Sequence, residues 1–206
     1  MNYLRAMLSV DESVGNMRNC LEELNILDNT ILVFGSDNGF FLGSHQRSDK
    51  RLMYEESIRI PLIVRYPELI KAGSKNSDMI LNIDIAPTLI ELAGAEVPAD
   101  MQGMSFVPLL KNENAEWRKS FMYEYFQESY APGFVTATGV RNKKYKYIEY
   151  PDMINDIDEL YDLENDPGEM INLINSPDHQ TVRSEMKAEL EKLKTETGYF
   201  DPNVNK

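Results

Sequence analysis

Asp37 and Asn38 come two residues after an apolar run at residues 31–34, and His45 and Lys50 lie within the next dozen residues. Carboxylate and amide oxygens are hard ligands that suit Ca²⁺ or Mg²⁺ better than a soft metal ion. A histidine can donate a proton near neutral pH, and a lysine supplies positive charge for an anionic group. Together the four side chains predict a metal-assisted site that handles an anion.

The local backbone decides whether the two oxygen ligands can act together. Adjacent side chains on a strand point to opposite faces, so Asp37 and Asn38 share one ion only where the chain leaves extended geometry. We expect that departure at the end of the strand, where Gly39 allows the backbone to turn away and where open α/β sheets bind ligands. The alternative is an ordinary turn, because Ser, Asp, Asn and Gly are common turn residues. For His45 and Lys50 the alternative is a surface polar residue and a solvated charge.

The longer stretch from Ile31 to Pro67 favours a functional site, because it closely resembles the sulfatase family over its whole length. Further landmarks of that family occur in the same order on both sides, at residues 11–15, 28–30, 84–88, 103–105 and 160–169. The resemblance covers nearly the whole chain. It implies an α/β fold: the C-terminal part of an alkaline-phosphatase-like sulfatase, followed by a small antiparallel sheet with a C-terminal helix.

The resemblance also implies a role for each candidate residue. Asp37 and Asn38 correspond to the second pair of calcium ligands, and His45 and Lys50 to residues that contact the sulfate and its bridging oxygen. Negative charge grows on that oxygen as the S–O bond breaks, so cations and proton donors placed there stabilise mainly the transition state. Residues 50–57 resemble gut-bacterial sulfatases that act on glycosaminoglycan or mucin sugars, which implies a sulfated carbohydrate as substrate.

Half of the family's active site is missing from this sequence. Sulfatases carry a formylglycine made within a Cys/Ser-x-Pro-x-Arg motif, and no such motif occurs here. The only cysteine, Cys20, is followed by Leu-Glu-Glu, and the Asp-Asp pair that supplies the first calcium ligands is also missing. We therefore expect a C-terminal portion of a sulfatase that is inactive by itself and binds calcium weakly or not at all, since two protein ligands make a poor site.

Two other functions remain open from the residues. Relatives with the same fold hydrolyse phosphoesters or phosphonates with similar metal ligands. A non-catalytic module that binds sulfated glycans is the other alternative.

Charge and composition limit the classes of partner that the chain can bind. The net charge of −13 argues against nucleic acid, which requires a basic surface. Residues 150–170 hold eight acidic and no basic side chains, which we interpret as a solvated loop, whereas basic residues are concentrated near the proposed site, at Arg47, Lys50, Arg51, Arg59 and Arg65. No segment has the length and hydropathy of a membrane span. Family resemblance implies a periplasmic or secreted parent protein.

Hydrophobic periodicity predicts the elements that position the site. Residues 1–110 are predicted as the remnant of the catalytic α/β domain and residues 111–206 as a C-terminal subdomain. Helices are predicted at residues 2–26, 85–93 and 179–197, and strands at residues 31–34, 60–65, 121–126, 136–141 and 145–150.

Three features of these elements make further predictions. The Met and Leu stripe of the first helix is interpreted as core packing, and Tyr145 and Tyr147 as a half-buried sheet face in preference to a sugar-stacking platform. The strand at 31–34 is interpreted as a central parallel strand that has lost its neighbours. Such a strand exposes apolar surface and unpaired backbone, which predicts a homo-oligomer.

Overall fold

The fold is described from a computed structural model, which describes residues 2–131, 133–153 and 158–200. Its helices are α1 (Asn2–Glu23), α2 (Glu55–Ile58), α3 (Ile85–Leu92), α4 (Val107–Leu110) and α5 (Gln180–Thr197). Its strands are β1 (Leu32–Gly35), β2 (Phe41–Leu42), β3 (Ser48–Asp49), β4 (Leu62–Arg65), β5 (Ser120–Tyr125), β6 (Ala137–Asn142), β7 (Tyr145–Glu149) and β8 (Glu159–Asp162). The predicted helices and strands are all present, with ends shifted by a few residues. The unpredicted elements are α2, α4, β2, β3 and β8.

The first strand has an antiparallel neighbour that the sequence analysis did not predict, while its place as a central parallel strand stays a prediction. Within the described residues β1 pairs only with β4, in antiparallel register from Leu32 opposite Arg65 to Gly35 opposite Leu62. The chain between these strands makes an excursion that carries the β2–β3 hairpin and α2, and then returns beside its starting point. Arg65 fixes that return, because its guanidinium donates a 2.8 Å hydrogen bond to the carbonyl of Leu27.

The C-terminal half forms a four-stranded antiparallel sheet in the order β5-β6-β7-β8. Helix α5 covers one face through a core that includes Val140, Tyr147, Leu160, Met186 and Leu190. Tyr147 is fully buried, which confirms the predicted core role of this face. Lys146, which alternates with the tyrosines and faces the other way, is also fully buried. Both faces of this sheet are therefore covered.

The segment just before α2 covers the second face of the sheet. Met53 is 1% exposed and packs with Ala137, Ile148 and Tyr161. Gly139 in β6 makes the room, because a Cβ there would lie 2.4 Å from the sulfur of Met53 and 2.6 Å from the carbonyl oxygen of Tyr147. The predicted boundary at residue 110 stays a prediction, but side chains from before it form part of the core that follows it.

The later sequence landmarks are structural. Asp84 is fully buried and pairs with Arg118, while its carboxylate also accepts the backbone N–H groups of Leu81 and Met104. Gly103 passes so close that a Cβ would lie 2.0 Å from the carbonyl oxygen of Ile83. These contacts join the start of α3 to the segment that enters β5.

The acidic stretch is more ordered than the predicted solvated loop, apart from residues 154–157, which lie outside the described residues. It contains β8, and within it Asp162 is 7% exposed and Glu169 is 2% exposed. A turn at residues 166–168 follows β8, with the N–H of Glu169 donating to the carbonyl of Asp166 at 3.0 Å. This turn brings Glu169 back under the sheet.

Helix α1 corrects the predicted core packing, because its apolar side chains are exposed. Leu4 is 68% exposed, Leu8 70% and Met17 58%, and the only described neighbour that α1 contacts extensively is the short turn that follows it. The periodicity correctly predicted the helix, but none of the described residues covers its stripe. None of the described helices has the length and apolar character that crossing a membrane requires.

Self-association of this chain stays a prediction, and the exposed α1 stripe supplies its physical basis. Burying large apolar side chains stabilises association by roughly 25 cal/mol per Å² removed from water. Sedimentation velocity over a range of concentrations checks this, and a clean monomer throughout would contradict it.

Substituting Gly139→Ala should destabilise the protein by about 1–3 kcal/mol, because the new methyl group overpacks the space that Met53 fills. Urea unfolding followed by tyrosine fluorescence measures the change. Gly15→Ala is the matched control: this glycine lies in exposed α1, and no atom lies within 4 Å of the position that a Cβ would take there, so helix propensity predicts no loss of stability. Equal stability of both variants would show that Met53 is not tightly seated.

Candidate functional site

The chain leaves β1 at a turn formed by Ser36, Asp37, Asn38 and Gly39. The Ser36 hydroxyl donates to the carbonyl of Asn38 at 2.9 Å, and the N–H of Asn38 donates to Asp37 Oδ1 at 2.9 Å. Turn chemistry and ligand presentation therefore coexist, since these bonds leave the Asp37 side chain exposed at the end of the strand. The predicted departure from extended geometry is confirmed.

The structure requires glycine at position 39 for a reason different from the predicted one. Gly39 does not adopt the left-handed backbone conformation, since the positive-φ glycines among the described residues are all elsewhere. A Cβ at this position would instead lie 2.1 Å from the carbonyl oxygen of Glu56. The backbone N–H of Gly39 donates to the carbonyl of Ser57 at 2.8 Å. The turn is seated directly on the backbone of α2.

Lys50 joins this turn from the far end of the hairpin. Its Nζ donates a 2.8 Å hydrogen bond to the side-chain oxygen of Asn38. Asn82 also approaches, with Nδ2 donating to the backbone carbonyl of Asp37 at 2.9 Å. The structure therefore brings three of the four predicted residues together, as a carboxylate, an amide and an ammonium group.

His45 lies in the β2–β3 turn and forms a separate part of the site. Its ring packs against Tyr54 at 4.3 Å between centroids, and its Nε2 lies 3.7 Å from Glu56 Oε2. Nε2 is buried and has no hydrogen-bond partner among the described residues. His45 is thus no surface residue, and it borders the same short helix that supports Gly39.

The hairpin carries a cluster of unusual backbone conformations that the sequence did not predict. His45, Gln46, Asp49 and Arg51 all have positive φ, with values of 52°, 54°, 96° and 85°. Such residues cost about 1–3 kcal/mol each and persist only where surrounding contacts enforce them. Strain of this kind is common at functional sites, and here it extends from His45 to Arg51, on both sides of Lys50.

Arg51 supplies the contacts that hold the strained segment. Its Nε donates to Glu128 Oε2 at 2.7 Å, its guanidinium also pairs with Asp49, and it lies 5.6 Å from the ring centroids of Tyr130 and Phe134. The hydrogen bond from Arg51 lowers the pKa of Glu128 to about 2. The predicted basic cluster therefore does not act as one positive surface, because the acidic partners of Arg51 neutralise its charge.

A buried set of ion pairs fixes α2 to the C-terminal sheet. Glu55 accepts two hydrogen bonds from Arg141, at 2.9 and 3.0 Å, and lies 2.9 Å from the Nζ of Lys146. Lys146 also binds Glu169 at 2.6 Å, and Glu169 accepts the backbone N–H of Glu55 at 2.7 Å. Two cations and two carboxylates thus balance in the interior, which offsets the cost of burying them.

The two carboxyl groups respond differently to this environment. Burial raises the pKa of Glu55, but the hydrogen bonds from Arg141 and the charge of Lys146 outweigh it, so the pKa falls to about 2. Burial is the dominant effect on Glu169 and raises its pKa, despite the bond from Lys146. Glu55 is therefore the firmly ionised member.

Glu159 forms a second cluster that was not predicted. Its Oε2 accepts hydrogen bonds from the hydroxyls of Tyr54 and Tyr161, and its Oε1 accepts one from Tyr150, each at 2.8 Å. Burial raises the pKa of the Tyr54 and Tyr161 hydroxyls, so both remain donors. The residue that packs on His45 is thus held by a carboxylate on β8.

The metal-ligand prediction fits in donor type and falls short in number. Asp37 and Asn38 offer hard oxygens suited to calcium, which takes six to eight such ligands. The parts of the chain that the structure describes contain no group of three or more His, Cys, Asp or Glu side chains that could hold a metal ion. Any ion at this turn therefore needs further ligands from elsewhere.

Sequence similarity to known proteins identifies the family of this chain. An N-acetylglucosamine-6-O-sulfatase of Bacteroides thetaiotaomicron is 43% identical over 207 residues, covering 98% of this chain and 37% of that protein. An arylsulfatase of Clostridium perfringens is 31% identical over 208 residues, covering 98% of this chain and 41% of that protein. The family model described as N-sulphoglucosamine sulphohydrolase, C-terminal, matches residues 43–196. The chain belongs to the sulfatase family.

Solved structures agree with the fold of this sulfatase chain. One, in complex with its substrate D-glucosamine-2-N,6-O-disulfate, superposes with a TM-score of 0.91 at 41% identity, over 97% of this chain and 41% of that one. A phosphonate monoester hydrolase of Agrobacterium radiobacter superposes with a TM-score of 0.81 at 26% identity, over 91% and 39%. The chain spans about two fifths of the length of these relatives, and the expected C-terminal, alkaline-phosphatase-like fold is confirmed.

The Glu55 ion pairs predict how stability depends on pH. The folded-state pKa of Glu55 is about 2, below its ordinary value of 4.5, so its contribution is present above pH 4.5 and is lost as pH falls towards 2. That contribution is roughly 3 kcal/mol. Urea unfolding at pH 6 and pH 3 should show a smaller acid loss for Glu55→Gln than for the unsubstituted chain.

Glu169 opposes this trend, because a raised pKa makes its contribution fall as pH rises. The comparison between the Glu55→Gln and unsubstituted chains cancels most of that effect. The exposed Glu164→Gln, which removes a carboxylate paired with Lys144 at the surface, is the control and should not change the pH slope. Parallel slopes for all three chains would contradict the assigned role of Glu55.

Proposed function

We propose that this chain forms the C-terminal part of an enzyme that hydrolyses sulfate esters of a sulfated glycan. The observation that carries the proposal is the 2.8 Å bond from Lys50 Nζ to the Asn38 side chain, beside the exposed carboxylate of Asp37. A negative side chain that can bind a cation and a positive side chain that can bind an anion therefore lie near each other at the end of β1. Such an arrangement can bind a metal ion and a sulfate group side by side.

Asp37 and Asn38 would hold a calcium ion together with ligands from outside this chain. When bound, the ion supplies positive charge that balances the sulfate oxygens. The hydrogen bond to Asn38 places the Lys50 ammonium group beside the turn, and a cation bound at the Asn38 side-chain oxygen would release it to an anion there. Its role is to stabilise the charge that builds up as the ester bond breaks.

His45 would supply the proton. The unpartnered Nε2 is buried and lies 3.7 Å from Glu56 Oε2. A proton at Nε2 can pass to the departing sugar oxygen, which otherwise leaves as an unstable alkoxide. The nucleophile must come from elsewhere, because the sequence contains no Cys/Ser-x-Pro-x-Arg motif.

An aminosugar sulfate is the substrate class that the relatives support. One is an N-acetylglucosamine-6-O-sulfatase at 43% identity, and a solved neighbour at 41% identity holds a disulfated glucosamine. The phosphonate hydrolase neighbour, at 26% identity, supports phosphoryl chemistry on this fold as the second candidate. The greater similarity to sulfatases favours the sulfate ester.

The test compares substrates and one charge in the intact enzyme. Lys50→Ala should lower kcat/KM for an N-acetylglucosamine sulfate by at least about 100-fold, since removing one transition-state donor costs roughly 3–4 kcal/mol. Lys71→Ala, which removes an exposed lysine outside the site, is the matched control and should not change the rate. The unsubstituted enzyme should prefer sulfate over matched phosphate esters.

A preference for the phosphate ester would favour the second candidate. Full activity of Lys50→Ala on both esters would contradict the proposed site. The isolated chain should show no hydrolysis of an aryl sulfate, because it lacks the nucleophile, and turnover by a highly purified sample would contradict that part of the proposal.

A further inference from the structure

Asn38 and Gly39 form the only Asn-Gly pair in the sequence. Asparagine is thermolabile because the backbone nitrogen of the next residue can attack its side-chain amide. A following glycine makes this attack easiest, since glycine has no Cβ that shields its nitrogen. The turn that offers the candidate metal ligands therefore contains the asparagine whose sequence context makes it the most reactive in the chain.

The reaction needs only water and releases ammonia. The backbone nitrogen of Gly39 bonds to Asn38 Cγ and gives up its proton, while the Cγ–Nδ2 bond breaks and ammonia leaves with that proton. The product is a five-membered cyclic imide. Water then opens one of the two C–N bonds in this ring, which gives either aspartate or isoaspartate. No electrons are transferred, so the reaction needs no oxidant or reductant.

The attacking nitrogen is held in place in the folded chain. The backbone N–H of Gly39 donates to the carbonyl of Ser57 at 2.8 Å, so its proton is bound to a neutral acceptor and shielded from base in the solvent. Gly39 also packs closely on α2, where a Cβ would lie 2.1 Å from the carbonyl oxygen of Glu56. Closing the ring rotates the backbone between Asn38 and Gly39, and this packing opposes that rotation.

The side-chain amide of Asn38 is held as well. Its Oδ1 accepts a hydrogen bond from Lys50 Nζ at 2.8 Å, and its Nδ2 donates to the carbonyl of Gly39 at 2.6 Å. Turning Cγ towards the Gly39 nitrogen disturbs both bonds. Both reacting groups are therefore constrained by contacts of the folded chain.

These constraints depend on the position of α2. The helix has only four residues and no side-chain cap, and the ion pairs of Glu55 with Arg141 and Lys146 attach it to the C-terminal sheet. A segment with few contacts of its own opens at a lower free energy than the whole protein unfolds. When α2 moves away, the Gly39 nitrogen loses its hydrogen-bond acceptor and the packing that fixes its backbone.

We propose that Asn38 is a self-modification site, unreactive while Gly39 packs on α2 and converted to aspartate or isoaspartate when α2 moves away. The inference does not depend on the proposed function, since it rests on the contacts of Asn38 and Gly39. Isoaspartate adds one atom to the main chain before Gly39, and the close packing on Glu56 has no room for it. The turn that carries Asp37 then cannot return to its place.

Mass spectrometry of the purified chain measures the conversion after incubation in mildly alkaline buffer. The buffer is made with heavy-oxygen water, so that conversion during digestion in ordinary water is not counted. Asn76 is the internal reference, because it precedes Ser77 in an exposed segment. In the chain unfolded by urea, Asn38 should convert faster than Asn76, because glycine shields its nitrogen less than serine does.

Folding should lower the ratio of the Asn38 rate to the Asn76 rate at least about tenfold, since protection is the inverse of the open population. Glu55→Gln should raise this ratio in the folded chain at least about fivefold, because it weakens the attachment of α2. Glu164→Gln is the matched control. It removes an exposed carboxylate that pairs with Lys144, and the ratio should not change.

Hydrogen exchange of the unsubstituted chain, followed by NMR, keeps the proposal testable if Glu55→Gln does not fold. The N–H of Gly39 should be protected to the same degree as the N–H of Arg59, which donates to the carbonyl of Glu55 at the end of α2. Equal protection is expected because one opening event exposes both groups.

Four results would overturn the proposal: no conversion of Asn38 in urea, a rate ratio that folding leaves unchanged, a ratio in Glu55→Gln equal to that of the unsubstituted chain, or exchange of the Gly39 N–H as fast as in an unprotected amide.

Discussion

The structure depends on one interaction between charged groups removed from water, the set formed by Glu55 with Arg141, Lys146 and Glu169. Helix α2 has only four residues and no side-chain cap, so its own hydrogen bonds cannot hold it in place. The ion pairs tie it to two strands and a turn from the C-terminal half. Because Gly39 and His45 both lie against this helix, the position of the candidate site is set from more than 80 residues away in sequence.

This dependence changes the interpretation of the C-terminal sheet. One face carries α5 and an ordinary apolar core, whereas the other holds Met53 and the buried cation Lys146. The second face is thus a support for the segment that carries the site. Replacing either cation would leave Glu55 buried without a full partner, and an unpaired buried charge destabilises more than a lost surface contact.

Much of the local structure could be predicted from the sequence, because it depends on periodicity and turn chemistry. Helices α1, α3 and α5, five of the described strands and the ligand turn after β1 follow from such patterns. The exposed stripe of α1 could not be predicted, since the same pattern describes a helix whether or not the rest of the chain covers its apolar face. The pairing of β1 with β4 was equally hidden, because a long excursion separates the two strands.

Only part of the candidate site could be predicted, because again only residues that lie close together in sequence form a recognisable pattern. Asp37, Asn38, His45 and Lys50 lie close together in sequence and fit a familiar motif, so their types and spacing were informative. Glu159 and Lys146 lie on the later strands, and nothing local distinguishes them from surface charges. Only the alternation of β7 carried a signal, and it places Lys146 opposite the tyrosines without showing that this face is also buried.

The fit of Met53 over Gly139 has a consequence for oxidation. A thioether reacts with peroxide only when the oxidant can reach its sulfur, and the resulting sulfoxide is larger and polar. In the docked segment the sulfur is enclosed against the backbone of the sheet. Met53 can therefore be oxidised only when the segment before α2 moves away from the sheet. Once oxidised, its side chain no longer fits over Gly139. The rate of that modification would report how often this segment leaves the sheet, and each oxidation would prevent Met53 from packing there again.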